Sequence, residues 1–419
     1  MDNVKAKEMV VKAGKRLVRE GLIARTWGNV SCRLSDTLFA ITPSGRPYEK
    51  LTSEDIVIMN LDDLSYEGRV EPSSEKGVHA AVYRQRRDIN FIIHTHQYYA
   101  SAISSLQTDI EIEEVGYASL IGDRIVSIPY GMPGSKKLSE NVATTMSRSK
   151  GKAYIMTAHG ALCLGVDSEE AFQIAERLEE ICANYILRWY SQISKVDSAD
   201  WPSLRNYYIS RKSGKENDYR SQEPVSFYNS KRENDGFIFS PADGDDKFFS
   251  FGNGRSLLIS PGQGFQARTE EELDPLLFVH HAIYLSNPAV KAIRHVLSPN
   301  VLAFSMVGKK MYPMLDDFAQ IVGEDVPLLK FDPANFHNKI SRQIAGLMKR
   351  RSAVLLAGGG ALCCGLSLGD ALAAAMIMEK NAMAIIVSCI FNRGRPLNLR
   401  EARLMRTLYL ENYSLKATR

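Results

Sequence analysis

An internal repeat is the feature that most constrains how this 419-residue chain can fold. The hexapeptide VHAAVY at 78–83 recurs as VHHAIY at 279–284, and His94 recurs as His295 at the same spacing of 201 residues. A second segment, AHGALCLG at 158–165, recurs 200 residues later as GGGALCCG. Such a constant offset over more than eighty residues is hard to obtain by chance. The repeat therefore predicts two tandem copies of one domain.

The stretch between the copies sets the predicted domain boundaries. Residues 196–232 are polar and charged, and such a segment cannot bury much apolar surface. We place a linker there, with a first domain at 1–195 and a second at 233–419. A chain of this length also exceeds what one hydrophobic core usually supports, which favours two domains.

The apolar pattern of the first copy predicts an α/β domain. Apolar residues over 9–17 follow helical spacing, and Gly21 stands where a left-handed helix cap belongs. Further elements are predicted as strands at 38–42, 56–59, 91–96 and 154–157, and as helices at 73–87 and 167–190. The alternation indicates helices covering a sheet.

Composition excludes several classes of protein. The net charge of +4 is mild and no dense basic run is present, so nucleic acid is not an expected partner. The six cysteines include no CxxC pair, and the N-terminus lacks a signal-peptide pattern, which predicts a cytoplasmic protein. Charged residues interrupt the most apolar stretch, 353–390, so we expect a buried helix and no membrane span.

Three histidines in the first copy form a candidate metal site. His94 and His96 alternate at the end of an apolar run, so both imidazoles can face one ion if the run is a strand. His159 follows a second apolar run. Three neutral imidazoles with an open position are typical of a catalytic zinc site. Taken alone, the His-Thr-His pattern is as compatible with coincidence as with metal binding.

The second copy supplies an internal test of this hypothesis. His94 corresponds to His295 there, but His96 corresponds to Leu297 and His159 to Gly359. Loss of a metal explains both replacements at once, whereas satisfied core histidines would need two separate explanations. We therefore expect one metal ion per chain, in the first copy.

Three short segments offer the backbone N–H groups and small hydroxyls that bind phosphate: Gly28-Asn29, Ser44-Gly45 and Ser73-Ser74. Each alone is a weak signal, because a serine pair after proline is more often a helix N-cap and Pro-Ser-Gly is usually a turn. Aspartate and proline replace the serine pair in the second copy, at positions 274 and 275.

Glu75 and Tyr117 are the candidate proton-transfer residues. Glu75 follows the serines, where a carboxylate can simply favour a helix N-terminus or can act as general base beside the metal. Its counterpart in the second copy is Leu276. Tyr117 aligns with Phe318, a change that keeps the ring and removes the proton donor, which makes a catalytic acid plausible.

Taken together, these motifs resemble the class II aldolase/adducin family, and in particular its L-fuculose-phosphate aldolase-like members. The resemblance covers most of residues 1–190 in the family's order, and the second copy matches in frame but lacks the functional residues. The matching runs are Thr26 to Ser31, Ile41 to Gly45, Pro72 to Glu75, His94 to His96 and Ala158 to Gly160.

The resemblance implies two tandem α/β/α domains, each with a central, largely antiparallel sheet covered by helices. It implies Zn²⁺, or Mn²⁺ as an alternative, on His94, His96 and His159, with Glu75 as acid/base. Tyr117 corresponds to a tyrosine that reaches a neighbouring subunit's site. The residues implied to hold phosphate are Gly28, Asn29, Ser44, Gly45, Ser73 and Ser74.

The implied reaction is cleavage of a ketose 1-phosphate to dihydroxyacetone phosphate and an aldehyde. Epimerisation of a pentulose phosphate, dehydration of a methylthioribulose phosphate and decarboxylation of a keto-acid phosphate use the same ligands, and an adducin-like binding role without catalysis is a further alternative. Since such aldolases form rings of four, two tandem copies per chain predict a homo-oligomer, with a dimer imitating a tetramer.

Overall fold

The computed structural model describes residues 2–23, 27–190, 228–233, 236–241, 247–250, 257–260, 263–267, 275–330, 340–348 and 350–413. Residues 196–227 of the predicted linker lie outside the described residues, as does Thr26 of the family motif. The last linker residues, from 228, belong to a strand.

The chain divides into two compact units whose bounds differ in part from the two copies of the repeat. Unit 1 comprises Met1–Ser198, Met314–Asp317 and Ala384–Arg419, and unit 2 comprises Ala199–Pro313 and Phe318–Met383. Two segments of the second copy therefore pack with unit 1. The boundaries predicted from the repeat describe sequence copies and stay a prediction.

Unit 1 contains an eight-stranded sheet with six helices from the first copy. The helices are α1 Asn3–Arg19, α2 Lys76–Gln85, α3 Tyr98–Ser104, α4 Val115–Ile121, α5 Lys136–Arg148 and α6 Ser168–Tyr190. The strands are β1 Asn29–Arg33, β2 Leu38–Ile41, β3 Val57–Asn60, β4 Phe91–Thr95, β5 Ile110–Glu111, β6 Arg124–Ile128, β7 Ala153–Met156 and β8 Gly160–Gly165. Short 3-10 helices span Tyr48–Lys50 and Ser53–Asp55.

The sheet of unit 1 is largely antiparallel, as the family resemblance implies. Its strand order is β3-β2-β1-β4-β8-β7-β6-β5, and only the β6–β7 pair is parallel. Every residue of the central strands β4 and β8 is buried. Because successive strand residues point to opposite faces, helices cover both faces of the sheet. The α/β/α fold class is therefore confirmed.

The boundaries of α1 and α6 follow the predicted capping signals, whereas the helix predicted at 73–87 spans only Lys76–Gln85. Ala13 and Leu17 of α1 are buried, and Gly21, just after the helix, has φ +67°. This is the left-handed conformation that glycine adopts without a steric penalty. At the start of α6, Asp167 Oδ1 accepts a hydrogen bond from the Glu170 amide at 2.9 Å.

Unit 2 contains a nine-stranded sheet. Its strands are β9 Tyr228–Glu233, β10 Gly236–Pro241, β11 Lys247–Ser250, β12 Leu257–Ser260, β13 Gln263–Ala267, β14 Ala292–Val296, β15 Leu328–Leu329, β16 Ala353–Leu356 and β17 Ala361–Gly365. The other described helices of the chain are α7 Pro275–Ser286, α8 Pro299–Ser305, α9 Asp316–Ile321, α10 Ile340–Leu347, α11 Leu368–Phe391 and α12 Leu399–Leu408, followed by a π-helical turn at Tyr409–Tyr413. Of these, α12 belongs to unit 1, and α9 and α11 are divided between the two units.

Part of the second sheet has the same connectivity as the first. The order β9-β14-β17-β16-β15 corresponds to β1-β4-β8-β7-β6, and the terminal pair is parallel in both sheets. His94 pairs with Leu162 in one sheet, and His295 pairs with Leu362 in the other. These equivalent registers fit a tandem arrangement.

Helix α11 is long and apolar enough to cross a membrane by length and composition, but 78% of its apolar window is buried inside the protein. Such burial is typical of the core helix of a soluble protein, which agrees with the prediction from the sequence. Within this helix, the buried carboxyl group of Glu379 accepts hydrogen bonds from the backbone amides of Asn300 and Val301 at the start of α8. The cytoplasmic location stays a prediction.

Candidate metal centre

His94 and His96 lie at the end of the central strand of unit 1. His94 is the fourth residue of β4, opposite Asn29 on one neighbouring strand and Leu162 on the other. The strand ends at Thr95, and the backbone amide of His96 then donates to the carbonyl of Leu22 at 3.1 Å. The predicted alternation therefore places both imidazoles on one side of the strand end.

His159 is presented by a tight turn between β7 and β8. Ala158 has φ +55°, a left-handed conformation that is uncommon for a residue with a side chain. The next residue, Gly160, lies so close to β4 that a Cβ atom there would stand 2.2 Å from the carbonyl oxygen of Thr95. Only glycine allows this approach, which brings His159 beside His94.

The Nε2 atoms of the three histidines converge. The Nε2 atom of His94 lies 3.0 Å from that of His96 and 3.0 Å from that of His159. In a tetrahedral zinc site with Zn–N bonds of 2.0–2.1 Å, the nitrogens are about 3.3 Å apart, so the spacing is close to that of a metal site. Among the described residues, this is the one group of histidine, cysteine and carboxylate side chains close enough to hold an ion.

Glu75 closes one side of this group. Its Oε2 atom lies 3.2 Å from Nε2 of His94, and its Oε1 atom lies 3.2 Å from Nε2 of His159. The side-chain amide of Asn29 donates to Oε2 at 2.8 Å, whereas no described residue donates a hydrogen bond to the buried Oε1. A buried carboxylate oxygen without a donor fits a group that faces a cation or a substrate.

The Nδ1 atoms point away from the centre, and each has an acceptor nearby. Nδ1 of His94 lies 2.9 Å from the carbonyl oxygen of Ala161. Nδ1 of His96 lies 3.3 Å from Oδ2 of Asp317, and Nδ1 of His159 lies 2.8 Å from Oδ2 of Asp316. Protons on Nδ1 leave the Nε2 lone pairs free, which is the tautomer that a metal site requires. The donor set therefore fits a divalent ion.

The electrostatics of the group favour a cation. Burial lowers the pKa of His94 to about 3, against the opposing charge of Glu75. Burial also disfavours the charged form of His159, but Asp316 and Glu75 raise the pKa of its imidazole well above the ordinary value. Burial disfavours ionised Glu75 too, and His94 and His159 nevertheless hold its pKa well below the usual range. The carboxylates thus favour positive charge among the imidazoles.

The predicted phosphate-binding segments lie next to one another. Pro43 and Pro72 form an isolated bridge, and the amide of Ser44 donates to the carbonyl of Glu71 at 2.9 Å. Ser73 is buried and its Oγ accepts from the amide of Glu75 at 3.2 Å, which is the N-cap-like bond of the alternative interpretation. The rest of the set is Gly28 at φ +111°, Gly45 at φ +71° and the exposed Ser74.

Asn29 has a different environment from the one predicted. Its amide nitrogen donates to Glu75, and its Oδ1 contacts Nε2 of His79, a buried histidine that sequence reasoning did not select. Nδ1 of His79 lies 2.6 Å from the hydroxyl of Ser31. The Asn29 side chain therefore positions Glu75 in this structure, and its predicted contact with phosphate stays a prediction.

The partners of His79 recur in unit 2, which marks them as part of the scaffold. Ser230 Oγ lies 2.7 Å from Nδ1 of His280 and 2.9 Å from the hydroxyl of Tyr284. The VHxAxY repeat that contains both histidines was visible in the sequence, but it gave no sign that His79 reaches Asn29.

Tyr117 lies on α4, away from the contacts of the histidine group. Its hydroxyl hydrogen-bonds Glu180 on α6, and that bond raises the pKa of the phenol. The role in a neighbouring subunit's site stays a prediction.

The second copy keeps the backbone of the site without its ligands. Nε2 of His295 lies 2.7 Å from the carbonyl oxygen of Gly359, and Leu297 replaces the second histidine. Sequence reasoning missed Asp316 and Asp317. The sequence feature that could have drawn attention to them is their position directly before Phe318, the residue that aligns with Tyr117.

Comparison with known proteins places the chain among class II aldolases. The family model described as the class II aldolase and adducin N-terminal domain matches residues 8–186 and 264–386. The 5-deoxy-D-ribulose 1-phosphate aldolase of Bacillus thuringiensis is 36% identical over 43% of this chain and 83% of its own length. The L-fuculose phosphate aldolase of Escherichia coli is 34% identical over 44% of this chain and 85% of its own length.

A solved structure of an L-fuculose 1-phosphate aldolase aligns with 45% of this chain and 88% of its own, with 32% identity and a TM-score of 0.42.

Proposed function

Because the chain belongs to the class II aldolase and adducin family, we propose that it is a metal-dependent aldolase that cleaves a phosphorylated ketose. The observation that carries the proposal is the convergence of three imidazole Nε2 atoms beside the buried carboxylate of Glu75. Two relatives are aldolases of 5-deoxy-D-ribulose 1-phosphate and of L-fuculose phosphate. By analogy, the substrate is a ketose 1-phosphate and the products are dihydroxyacetone phosphate and an aldehyde.

His94, His96 and His159 would hold one divalent ion per chain. The all-imidazole donor set favours Zn²⁺, with Mn²⁺ as the alternative. A bound ion supplies Lewis-acid chemistry that stabilises negative charge on substrate oxygens. Burial of His94 and His159 limits the access of water to the ligands, which strengthens that electrostatic effect.

Glu75 is the proposed acid/base. Asn29 fixes its Oε2 atom, so Oε1 is the atom that we assign to proton transfer. In the cleavage direction, the protonated carboxyl group of Glu75 would donate its proton to the carbon that becomes electron-rich when the carbon–carbon bond breaks, and Glu75 is left ionised. In the condensation direction, the same carboxylate removes that proton.

The phosphate would be held by backbone amides and hydroxyls of Gly28, Ser44, Gly45, Ser73 and Ser74, with Asn29 at the edge of this set. Support comes from the bridge between Pro43 and Pro72, which places two of the segments side by side. The Ser73 and Ser74 segment leads into α2, whose N-terminus favours an anion.

Tyr117 would protonate the aldehyde oxygen in the site of a neighbouring chain. Support comes from its position on α4, whose first residues Val115 and Gly116 are exposed. Co-expression of Tyr117→Phe chains with Glu75→Gln chains tests this role. Mixed oligomers regain activity if the tyrosine acts between chains, because some sites then combine an intact Glu75 with an intact Tyr117. Mixed oligomers as inactive as either variant alone contradict it.

Product analysis tests the proposed function. Full-length protein, stripped of metal and reloaded with Zn²⁺ or Mn²⁺, is incubated with a panel of phosphorylated ketoses, and dihydroxyacetone phosphate is measured with a coupled reductase. We expect metal-dependent formation of dihydroxyacetone phosphate from at least one ketose 1-phosphate. An epimer, a dehydrated sugar or carbon dioxide as product would assign a different reaction. Protein that binds no ion would favour an adducin-like binding role.

A further inference from the structure

Two consecutive aspartates lie directly behind the proposed metal ligands. Oδ2 of Asp316 is 2.8 Å from Nδ1 of His159, and Oδ2 of Asp317 is 3.3 Å from Nδ1 of His96. Both aspartates belong to Met314–Asp317, a segment of the second copy that packs with unit 1. Their carboxylates therefore reach the nitrogens that do not face the ion.

The backbone fixes the position of these carboxylates. The amide of Asp316 donates to the carbonyl oxygen of Ala158 at 2.9 Å, so the segment is tied to the turn that presents His159. The Asp316 side chain is 0% exposed. It contacts His159 without the alignment of a hydrogen bond, and no described residue donates a hydrogen bond to either of its carboxylate oxygens.

A buried carboxylate needs compensating positive charge. Glu75, Asp316 and Asp317 are all buried around three imidazoles. Neutral imidazoles alone would leave this group with excess negative charge, which is costly in a protein interior. A divalent ion on the Nε2 atoms offsets that charge, and its field strengthens the donation from Nδ1 to the aspartates.

The first copy has nothing comparable at the corresponding positions. Asp316 and Asp317 align with Val115 and Gly116 at the offset of 201 residues. Val115 is 84% exposed and carries no charge. The second copy lacks the metal-binding histidines. It nevertheless carries the two carboxylates that contact His159 and His96 of the first copy.

We infer that Asp316 and Asp317 are positioning residues that orient His159 and His96 for metal binding, so that the second half of the chain completes the metal site of the first. This inference rests on the proposed function in one respect, that the three histidines bind a divalent ion. Carboxylates in this position fix the tautomer and orientation of a ligating imidazole and make it more basic.

Zinc affinity of the full chain tests the inference, measured by competition with a chromophoric chelator. Asp316→Ala is expected to weaken Zn²⁺ binding by about 10- to 100-fold. Asp316→Asn should weaken it less, because an amide oxygen still accepts from Nδ1–H. Asp317→Asn should have the smaller effect of the two asparagine variants, because its contact is 3.3 Å and not 2.8 Å.

Asp325→Asn is the matched control. Asp325 is a buried aspartate of the second copy that pairs with Arg351, so its replacement removes a similar charge without touching a histidine. The affinity of the Asp325→Asn protein for Zn²⁺ should equal that of the wild type. The visible spectrum of Co²⁺-loaded protein gives a second readout, since reoriented imidazoles shift its bands in the aspartate variants and not in the control.

Affinities of Asp316→Ala and Asp317→Asn within twofold of wild type, with an unchanged Co²⁺ spectrum, would overturn the inference. If Asp316→Ala does not fold, Asp316→Asn keeps the shape of the side chain and decides the question in the same way. Wild-type protein that binds no ion would instead refute the proposed function. The two failures are therefore distinguishable.

Discussion

The turn at 157–160 in unit 1 and the turn at 357–360 in unit 2 share their conformation at the second residue, although Gly360 has φ +74° and Gly160 does not have a positive φ. Ala158 and Gly358 both have positive φ, +55° and +70°. Their amides donate to Ser104 and Ser305 at 3.0 and 3.1 Å. Yet the next residue is His159 in one turn and Gly359 in the other. The comparison teaches that the turn is part of the scaffold and that the metal site is a set of side chains added to it.

The close approach of the turn to the neighbouring strand is also shared. A Cβ atom on Gly160 would meet the carbonyl of Thr95 at 2.2 Å, and one on Gly360 would meet that of Val296 at 2.1 Å. Metal binding therefore does not explain these glycines. The glycines are required by packing and are present in both copies. His96, His159 and Glu75 are present only in the first copy, which holds the proposed active site.

The largest effect is expected when the first turn is given the sequence of the second. His159→Gly should reduce the ion content from one per chain to almost none and abolish turnover, because two imidazoles do not make a stable zinc site. The backbone should be unaffected, since glycine occupies the same place in unit 2. Elemental analysis and circular dichroism measure both quantities, and a variant that keeps its ion would contradict the ligand assignment.

Glu75→Gln separates proton transfer from metal binding. The change should lower kcat/KM by about 10²- to 10⁴-fold, the usual contribution of a general base. The ion should remain, because all three imidazoles are intact. Steady-state kinetics alongside metal content measure the two effects. Activity within tenfold of wild type would remove Glu75 from the mechanism, and a lost ion would make it chiefly a ligand.

Both turns approach a carbonyl oxygen of a neighbouring strand, which predicts a loss of stability for the same substitution in each, and the larger loss at Gly360 because of its φ of +74°. Gly160→Ala and Gly360→Ala should each destabilise the unit that contains them by about 1–3 kcal/mol, because the new methyl group overlaps a carbonyl oxygen. Denaturant unfolding of both variants measures the loss. A variant as stable as the wild type would show that packing does not require glycine in that turn.

A separate effect concerns pH and the buried histidine shared by the units. Burial lowers the pKa of His280 to about 3, whereas an unfolded histidine titrates near about 6.5. Between these values the unfolded chain binds a proton that the folded chain does not. Stability should therefore fall as the pH drops from about 6.5 towards 3, by up to about 1.4 kcal/mol per unit for this group.

His280→Gln should remove this contribution. Unfolding of the variant and of the wild type at several pH values measures the difference in slope, with pH 8 as the reference where the imidazole is neutral in both states. Identical slopes would show that His280 is not the titrating group.

Much of the fold could be predicted from local pattern. The helix ending at Gly21, the strand carrying His94 and the capped start of α6 all depend on residues close in sequence. The convergence of His94, His96 and His159 could be proposed because the second copy loses two of them. Their spacing of 3.0 Å could not, since it depends on how closely Gly160 approaches β4.

Contacts between residues distant in sequence were not predictable. The amide of Asn29 was assigned to phosphate, but its contacts to Glu75 and His79 depend on the pairing of β1 with β4 and on the packing of α2. Asp316 lies 157 positions after His159 in the sequence, and only the packing of a short segment with unit 1 brings them together.

The sequence by itself predicted two related copies of one domain, the residue types of the candidate site and the copy that holds them, because repeats and short motifs carry that information. The tertiary structure alone decided which oxygen faces which ring nitrogen. A hydrogen bond or ion pair depends on distances of a few tenths of an ångström between segments that no local pattern connects.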